Sequence, residues 1–246
     1  MALILQSHAA GPPYWIQQCT ASVRDWAARQ GHEYRCIDDG LFDFLPADVR
    51  ARTRLQPVIA SDLARLLWLR QELARGAQCV VWLDADSLIF APQDFELRES
   101  SYALGREVWI QAQGRRWRCY RKVHNAFLMF RPGNPLLAFY IHSAERILRE
   151  YGAGPMAPQL IGPKLLSALH SLGGGPVQES AVVLSPPVIQ DLLNGGGPAL
   201  DLYKAKSTGA AACANLCASS LQRGELGEVQ MLALINALQA QPQALA

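Results

Sequence analysis

Val80-Val81-Trp82-Leu83-Asp84-Ala85-Asp86-Ser87 carries an apolar strand directly into two carboxylates separated by one small residue. In extended backbone, residues i and i+2 project to the same side, so Asp84 and Asp86 are expected to aim two negative charges at one place. Carboxylates so placed repel each other. A hard divalent cation that prefers oxygen, Mg²⁺ or Mn²⁺, relieves the repulsion and keeps positions open for phosphate oxygens. The same eight residues also read as a strand followed by an acidic turn, and the surrounding chain decides between the two.

Immediately upstream, Ile59-Ala60-Ser61-Asp62-Leu63-Ala64-Arg65-Leu66-Leu67-Trp68-Leu69 has helical spacing. Leu63, Leu66, Leu67 and Leu73 share one face, and Ser61 is expected as the N-cap. Asp62 and Arg65 then form the polar start of the helix. Over the whole chain, strands are predicted near 2–5, 33–37, 79–83, 108–112, 126–130 and 181–184, and helices near 14–30, 61–75, 135–151, 158–171 and 226–240. Such alternation predicts an α/β sandwich on a mostly parallel sheet, where ligands sit beyond the carboxyl ends of strands. Asp84 and Asp86 fall at such an end. Gly173-Gly174-Gly175 and Gly195-Gly196-Gly197 each precede a proline and read as loops. Neither is followed by Lys-Ser/Thr, which excludes a phosphate-cradling P-loop. The tail after Gln241 is expected to fray.

Half of the 246 residues are hydrophobic and 18% are charged, which predicts one folded domain over 1–246 and excludes a disordered chain. A net charge of +2 is too small to argue for nucleic acid as a partner. No apolar run reaches the roughly 18 residues of a membrane span, and Met1 to Gln6 lacks the basic and apolar regions of a signal peptide. Six scattered cysteines, at 19, 36, 79, 119, 213 and 217, read as reduced thiols and predict a cytoplasmic protein. Cys213 and Cys217, four apart as on one helical face, have no companion Cys/His set for zinc.

Ser61-Asp62, Arg65 three residues on, an apolar helix and a strand ending in Asp84-Ala85-Asp86 together resemble the donor-site core of DXD glycosyltransferases of the GT-A fold. The closest resemblance is to glycosyltransferase family 32 and capsular-polysaccharide-type sugar transferases. It extends over roughly the first 170 residues. Leu3 to Ser7 looks like the family's first strand, and Ser22 through Tyr34 like the helix and second strand that follow. His124-Asn125-Ala126-Phe127-Leu128-Met129-Phe130, followed by Pro132-Gly133-Asn134-Pro135, is similar to its asparagine-led strand and Pro-Gly-x-Pro turn. Gly162-Pro163 is similar to the Gly-Pro that opens a later helix. Where the family shows Gly-Gly-x-Tyr, this chain has Gly76-Ala77-Gln78-Cys79, and it lacks a His-x-x-x-x-Trp-type ending.

The resemblance implies a GT-A-like, Rossmann-like three-layer sandwich with a mostly parallel central sheet. Residues 1–130 would form the nucleotide-sugar donor half and 131–246 the acceptor-side half. It implies metal-dependent transfer of a hexosyl group, with retention, from a UDP- or GDP-sugar to a glycan, lipid-linked or other hydroxyl acceptor in polysaccharide biosynthesis. Asp86 would ligate Mn²⁺ or Mg²⁺ directly. Asp84 would contact ribose or donor sugar and reach the metal directly or through water. Asp62 and Arg65 would grip sugar hydroxyls and orient the diphosphate, completing the catalytic set. Gln6, Ser7 and His8 would receive base and ribose, and Asn125 would reach the sugar or acceptor. Read from the residues alone, an aspartate at a helix start offsets the macrodipole, and Asp62-Arg65 is an ordinary i,i+3 pair. Asn125 then reads as turn chemistry, and Gln6 to His8 as a polar loop.

Gly114-Arg115-Arg116-Trp117-Arg118-Cys119-Tyr120-Arg121-Lys122-Val123-His124 carries five positive charges and two aromatics between two predicted strands. It reads either as a solvated strand connection or as the flank of an acceptor cleft. In the second reading Arg116, Trp117, Arg118 and Tyr120 stack on a sugar or meet phosphates. An anionic or lipid-diphosphate acceptor would suit it, with peripheral association at the inner face of a membrane. Two other functions compete. Leu83-Asp84-Ala85-Asp86 also resembles the motif of haloacid dehalogenase-type Mg-dependent phosphatases, but after residue 86 no Asp-Asp or Asp-x-x-x-Asp follows. A non-catalytic nucleotide-sugar binder would keep the same donor residues without turnover.

Overall fold

A computed structural model describes residues 1–152 and 154–245. Its strands are β1 (Leu3–Ser7), β2 (Glu33–Ile37), β3 (Val80–Leu83), β4 (Ser87–Ile89), β5 (Tyr102–Gln113), β6 (Arg116–Phe130), β7 (Val177–Val183) and β8 (Cys213–Asn215). They form one sheet in the order β2-β1-β3-β6-β5-β7-β8-β4. Only β6 and β4 run against the other strands, so the sheet is mixed but mostly parallel.

Helices cover both faces. In β3, Val81 and Leu83 point into a core shared with α1 (Tyr14–Arg29), α6 (Pro186–Leu193), α7 (Pro198–Lys206) and α9 (Glu228–Ala240). Val80 and Trp82 point into a second core with α3 (Pro57–Ala74), α4 (Pro135–Glu150) and α5 (Leu165–Gly173). Burial on two faces explains the continuous apolar run before Asp84. The result is the expected α/β three-layer sandwich. Among the described residues, no helix is long and apolar enough to cross a membrane.

Several local expectations are overturned. Ser61 does not cap α3. The helix begins one turn earlier at Pro57, whose fixed φ suits a first helical position, and the Ser61 hydroxyl donates back to the Pro57 carbonyl at 2.7 Å. Asp62 therefore lies inside the helix, away from the end of the macrodipole. The helix predicted at 158–171 is split: a π turn at Leu160–Lys164 holds Gly162 in non-helical backbone ahead of Pro163, and α5 starts afterwards. The tail does not fray over its described part, because Leu245 is buried within the first core. Cys213 sits in a strand and Cys217 at φ 58°, so they share no helical face. The short strands β4 and β8, the small helices α2 (Ala47–Arg52) and α8 (Ser219–Gln222), and the helices α6 and α7 have no counterpart among the elements expected from the sequence.

The largest difference is the basic-aromatic segment. From Arg116 onward it is strand rather than connection. Paired with β5, it makes a long hairpin whose loop is Gly114-Arg115, with Gly114 at φ 60°. Glycine in the first central position of a two-residue loop suits the twist of the flanking strands. Because β5 runs in the same direction as β3, the hairpin tip and Asp84 lie toward the same edge of the sheet.

Candidate active site

Asp84-Ala85-Asp86-Ser87 is a turn, closed by the Ser87 amide donating to the Asp84 carbonyl at 2.9 Å. The two aspartates therefore converge through a turn, not through the alternation of an extended strand. The turn faces solvent in part, and each carboxylate is fixed from behind. Asp84 Oδ1 accepts from Arg65 Nη1 at 2.8 Å and Trp82 Nε1 at 2.7 Å. Trp82 reaches it because residues i and i+2 of a strand share a side. Asp84 Oδ2 accepts no hydrogen bond among the described residues. Asp86 Oδ1 accepts from Asn215 Nδ2, and its Oδ2 from the Ala218 amide at 2.7 Å. Asn215 is itself held by the Cys217 amide, 2.9 Å from its Oδ1.

Behind this turn lies a buried polar network. Arg65 Nη1 also donates to the Asn125 carbonyl at 2.9 Å, and Nη2 lies 3.3 Å from Asp62 Oδ1. Asn125 Nδ2 donates to the same Asp62 oxygen at 2.7 Å. The Arg65 guanidinium stacks 5.5 Å from the Trp82 ring centroid, adding cation–π attraction in a desolvated setting. Gln6 is fully buried and donates to the Asp84 carbonyl at 3.0 Å, while Tyr34 donates to the Gln6 side-chain oxygen at 3.1 Å. Asn125 occupies a break in the β5–β6 register, where Leu104 pairs with Leu128 but Gly105 pairs with His124. Such bulges re-aim side chains beside functional sites.

His124 anchors that bulge. Its Nδ1 accepts from the Ala126 amide at 3.1 Å, which leaves Nε2–H to donate to the Ala181 carbonyl, also at 3.1 Å. Burial lowers its pKa to about 4, so the ring is neutral. A Cβ on Gly105 would lie 2.2 Å from His124 Nε2, so only glycine admits the ring there.

One guanidinium thus faces two carboxylates, Asp62 and Asp84, and Asp86 adds a third negative group beside Asp84. Burial raises the Asp62 carboxyl to about 6, against the opposing pull of Arg65 and Asn125. Burial, and then the negative charge of Asp84, raise Asp86 to about 6. Asp62 Oδ2 is buried without a partner, and a Cβ on Gly162 would stand 2.3 Å from it. Tyr140 fastens the Gly162 segment by donating to the Ile161 and Gly162 carbonyls at 2.9 and 3.2 Å.

Of the residues singled out in sequence, Asp62, Arg65, Asp84, Asp86, Asn125 and Gln6 therefore converge. Ser7 and His8 lie half-buried at the rim, where β1 ends. Arg116, Trp117 and Arg118 are exposed on the hairpin and Tyr120 is half-buried there; none bonds to the network. Trp82, Asn215 and His124 were not assigned roles from sequence. The i, i+2 spacing signalled Trp82, and His124 lies in the quoted strand motif. Asn215 meets Asp86 from 129 residues away, a pairing no local pattern encodes. A cleft of about 250 Å³, lined by Trp26, His32, Cys79, Phe95 and Arg131, opens at the opposite edge of the sheet.

A divalent ion fits the turn. Mg²⁺-like ions bind through one or two carboxylates plus substrate phosphates, and Asp84 and Asp86 supply the two carboxylates on a partly open surface. Among the described residues, no group of three or more His, Cys, Asp or Glu could hold a metal without such a substrate.

Comparison with known proteins found no matching family model and no similar curated protein. Among solved structures, the chain is similar to a glycosyltransferase involved in the glycosylation of the major capsid of PBCV-1. Identity there is 11%, with 91% of this chain and 97% of that one covered and a TM-score of 0.47. It is also similar to the galactosyltransferase LgtC in complex with donor and acceptor sugar analogs. That match has 14% identity, coverage of 96% and 95%, and a TM-score of 0.45.

Proposed function

We propose that this chain is a metal-dependent glycosyltransferase of the DXD type, moving a hexosyl group from a UDP- or GDP-sugar to a hydroxyl acceptor. The observation that carries the reading is the charge imbalance at the edge of the sheet. Asp62 and Asp84 share the Arg65 guanidinium, Asp86 beside Asp84 has no cationic partner among the described residues, and Asp84 and Asp86 are each held by donors behind them. Preorganised groups of this kind stabilise charge that develops during reaction. Mn²⁺ or Mg²⁺, when bound there, supplies the positive charge that offsets the departing nucleoside diphosphate.

The chain's own residues divide the remaining work. Asp84, with Oδ2 free, and Asp86 form the contact surface for cation and donor. Arg65 is a positioning residue: it is buried and acts through Asp84 and the Asn125 backbone. Asp62 orients Asn125 toward the donor side. Gln6 fixes the Asp84 backbone, and Ser7 and His8 form the rim on which base and ribose would rest. Residues 1–130 form the donor half, although Asn215 and Ala218 of the acceptor half complete the setting of Asp86.

Retention is what the resemblance to family 32 implies. Asp62 is sealed beneath Gly162, which disfavours it as a covalent nucleophile. A front-face reaction, with the departing diphosphate taking the acceptor proton, needs only positioning. The phosphatase alternative would require a further acidic pair to complete its Mg²⁺ site, and after residue 86 no Asp-Asp or Asp-x-x-x-Asp follows.

Binding tests the assignment. Asp86→Ala should abolish Mn²⁺-dependent binding of nucleotide sugars measured by calorimetry while circular dichroism stays native. Undiminished Mn²⁺-dependent binding by the folded variant would remove the cation from the site.

A further inference from the structure

We infer that the outer strand of the hairpin is a track for an extended anionic oligosaccharide, the acceptor chain, leading from the hairpin tip to Asn125. This rests on the transferase reading for what the track delivers, while the binding surface itself can be tested separately. Alternate residues of a strand share a face, and the β5–β6 register is unbroken from His124 out to Arg116. Lys122, Tyr120, Arg118 and Arg116 therefore line one side of β6 over about 20 Å, with the buried His124 and Asn125 at the inner end.

Their cross-strand partners are Gly105, Glu107, Trp109, Gln111 and Gln113. This face combines three cations, the cross-strand partners Trp109 and Tyr120, and two side-chain amides. Lys122 lies 5.6 Å from the Tyr120 ring centroid and opposite Glu107, the one acid on either strand. Arg116 and Arg118 are exposed, and among the described residues they form no ion pair and no side-chain hydrogen bond. Guanidinium forks match carboxylate or phosphate groups, aromatic faces stack on pyranose rings, and glutamine amides bond hydroxyls. A linear anionic glycan presents all three chemistries in repeat.

The other face of the hairpin is already committed. Val108 and Ile110 are buried in the first core, and Arg121 donates to Thr208 Oγ1 at 3.2 Å. Trp117 belongs to that side, apart from Arg116, Arg118 and Tyr120. A membrane anchor would instead gather apolar side chains with the cations at one leading edge, whereas here the cations and aromatics run in single file along the strand.

The test is fluorescence anisotropy of a labelled oligogalacturonate against the whole chain, with a neutral maltooligosaccharide as comparison. Oligogalacturonate should bind, weaken as salt shortens the screening length to about 8 Å, and lose at least tenfold in affinity in the double variant R116Q/R118Q. The charge-matched pair R50Q/R54Q, on and beside α2, should bind within about twofold of the parent. Equal oligogalacturonate binding by R116Q/R118Q, or equal binding of the neutral chain, overturns the track. Co-sedimentation with anionic phospholipid vesicles that Trp117→Ala abolishes, without oligogalacturonate binding, would overturn it in favour of a membrane anchor. Oligogalacturonate bound as expected by a protein that hydrolyses no nucleotide sugar would keep the track and discard the transferase reading; hydrolysis without such binding would do the reverse.

Discussion

Adding a divalent cation should stabilise this protein in a strongly pH-dependent way, because the Asp84–Asp86 turn holds a like-charge pair. The Asp86 carboxyl is raised to about 6, by burial first and by Asp84 second. For an acid, a raised folded pKa favours the protonated folded form. Its stabilisation is complete below the unfolded value near 4, and is lost as pH rises through about 6. Asp62, also raised to about 6 by burial, acts in the same direction. Above pH 6 the ion-free protein carries the strained pair, and a cation between the carboxylates offsets the strain. At a hundred times its Kd, an ion bound only by the folded state adds about 2.7 kcal/mol. For a chain of this size that is about 5–11 °C in Tm. Melting curves with MnCl₂ or EDTA at pH 7.5 and pH 5.0 should show the full shift at the higher pH and less than half at the lower, where Mn²⁺ competes with a proton. Asp86→Asn should remove the response. Equal shifts at both pH values, or an undiminished shift in Asp86→Asn, would refute the reasoning.

Three substitutions probe the scaffold behind the turn. Arg65→Lys keeps the charge but loses the fork that joins Asp84, Asp62 and the Asn125 carbonyl; donor turnover should fall at least tenfold and stability by about 2 kcal/mol, read by kinetics and urea denaturation, and wild-type values in both would contradict the network. Gly162→Ala places a methyl 2.3 Å from Asp62 Oδ2 and should cost about 1–3 kcal/mol while raising the donor KM. Gly105→Ala drives a methyl into the His124 ring; a comparable loss of stability is expected, and an unchanged urea midpoint would show that the bulge is not held by that ring.

The carboxylate edge was legible in sequence because its signals are local. An apolar run ending in Asp84-Ala85-Asp86 marks a strand end, and Asp62 and Arg65, three apart on a helix, come out on one side of it. Even there the structure differs from the local pattern: the aspartates meet through a turn, and Pro57 rather than Ser61 starts α3. The hairpin was harder to read, because a strand projecting past its neighbours has no buried face to impose alternation on its outer residues. Its charges resembled a loop until pairing with β5 was known. Asn215 and Ala218 were invisible, since the short strand β8 reaches Asp86 through tertiary structure alone.

The most direct test of the account is a screen of UDP- and GDP-sugars for slow hydrolysis in the presence of Mn²⁺, followed by release of the nucleoside diphosphate, because it needs no knowledge of the acceptor. The account predicts that at least one nucleotide sugar is hydrolysed, that EDTA stops the reaction, and that Asp86→Ala abolishes it. A folded protein that hydrolyses none of them, yet releases phosphate from phosphate monoesters with Mg²⁺, would contradict it.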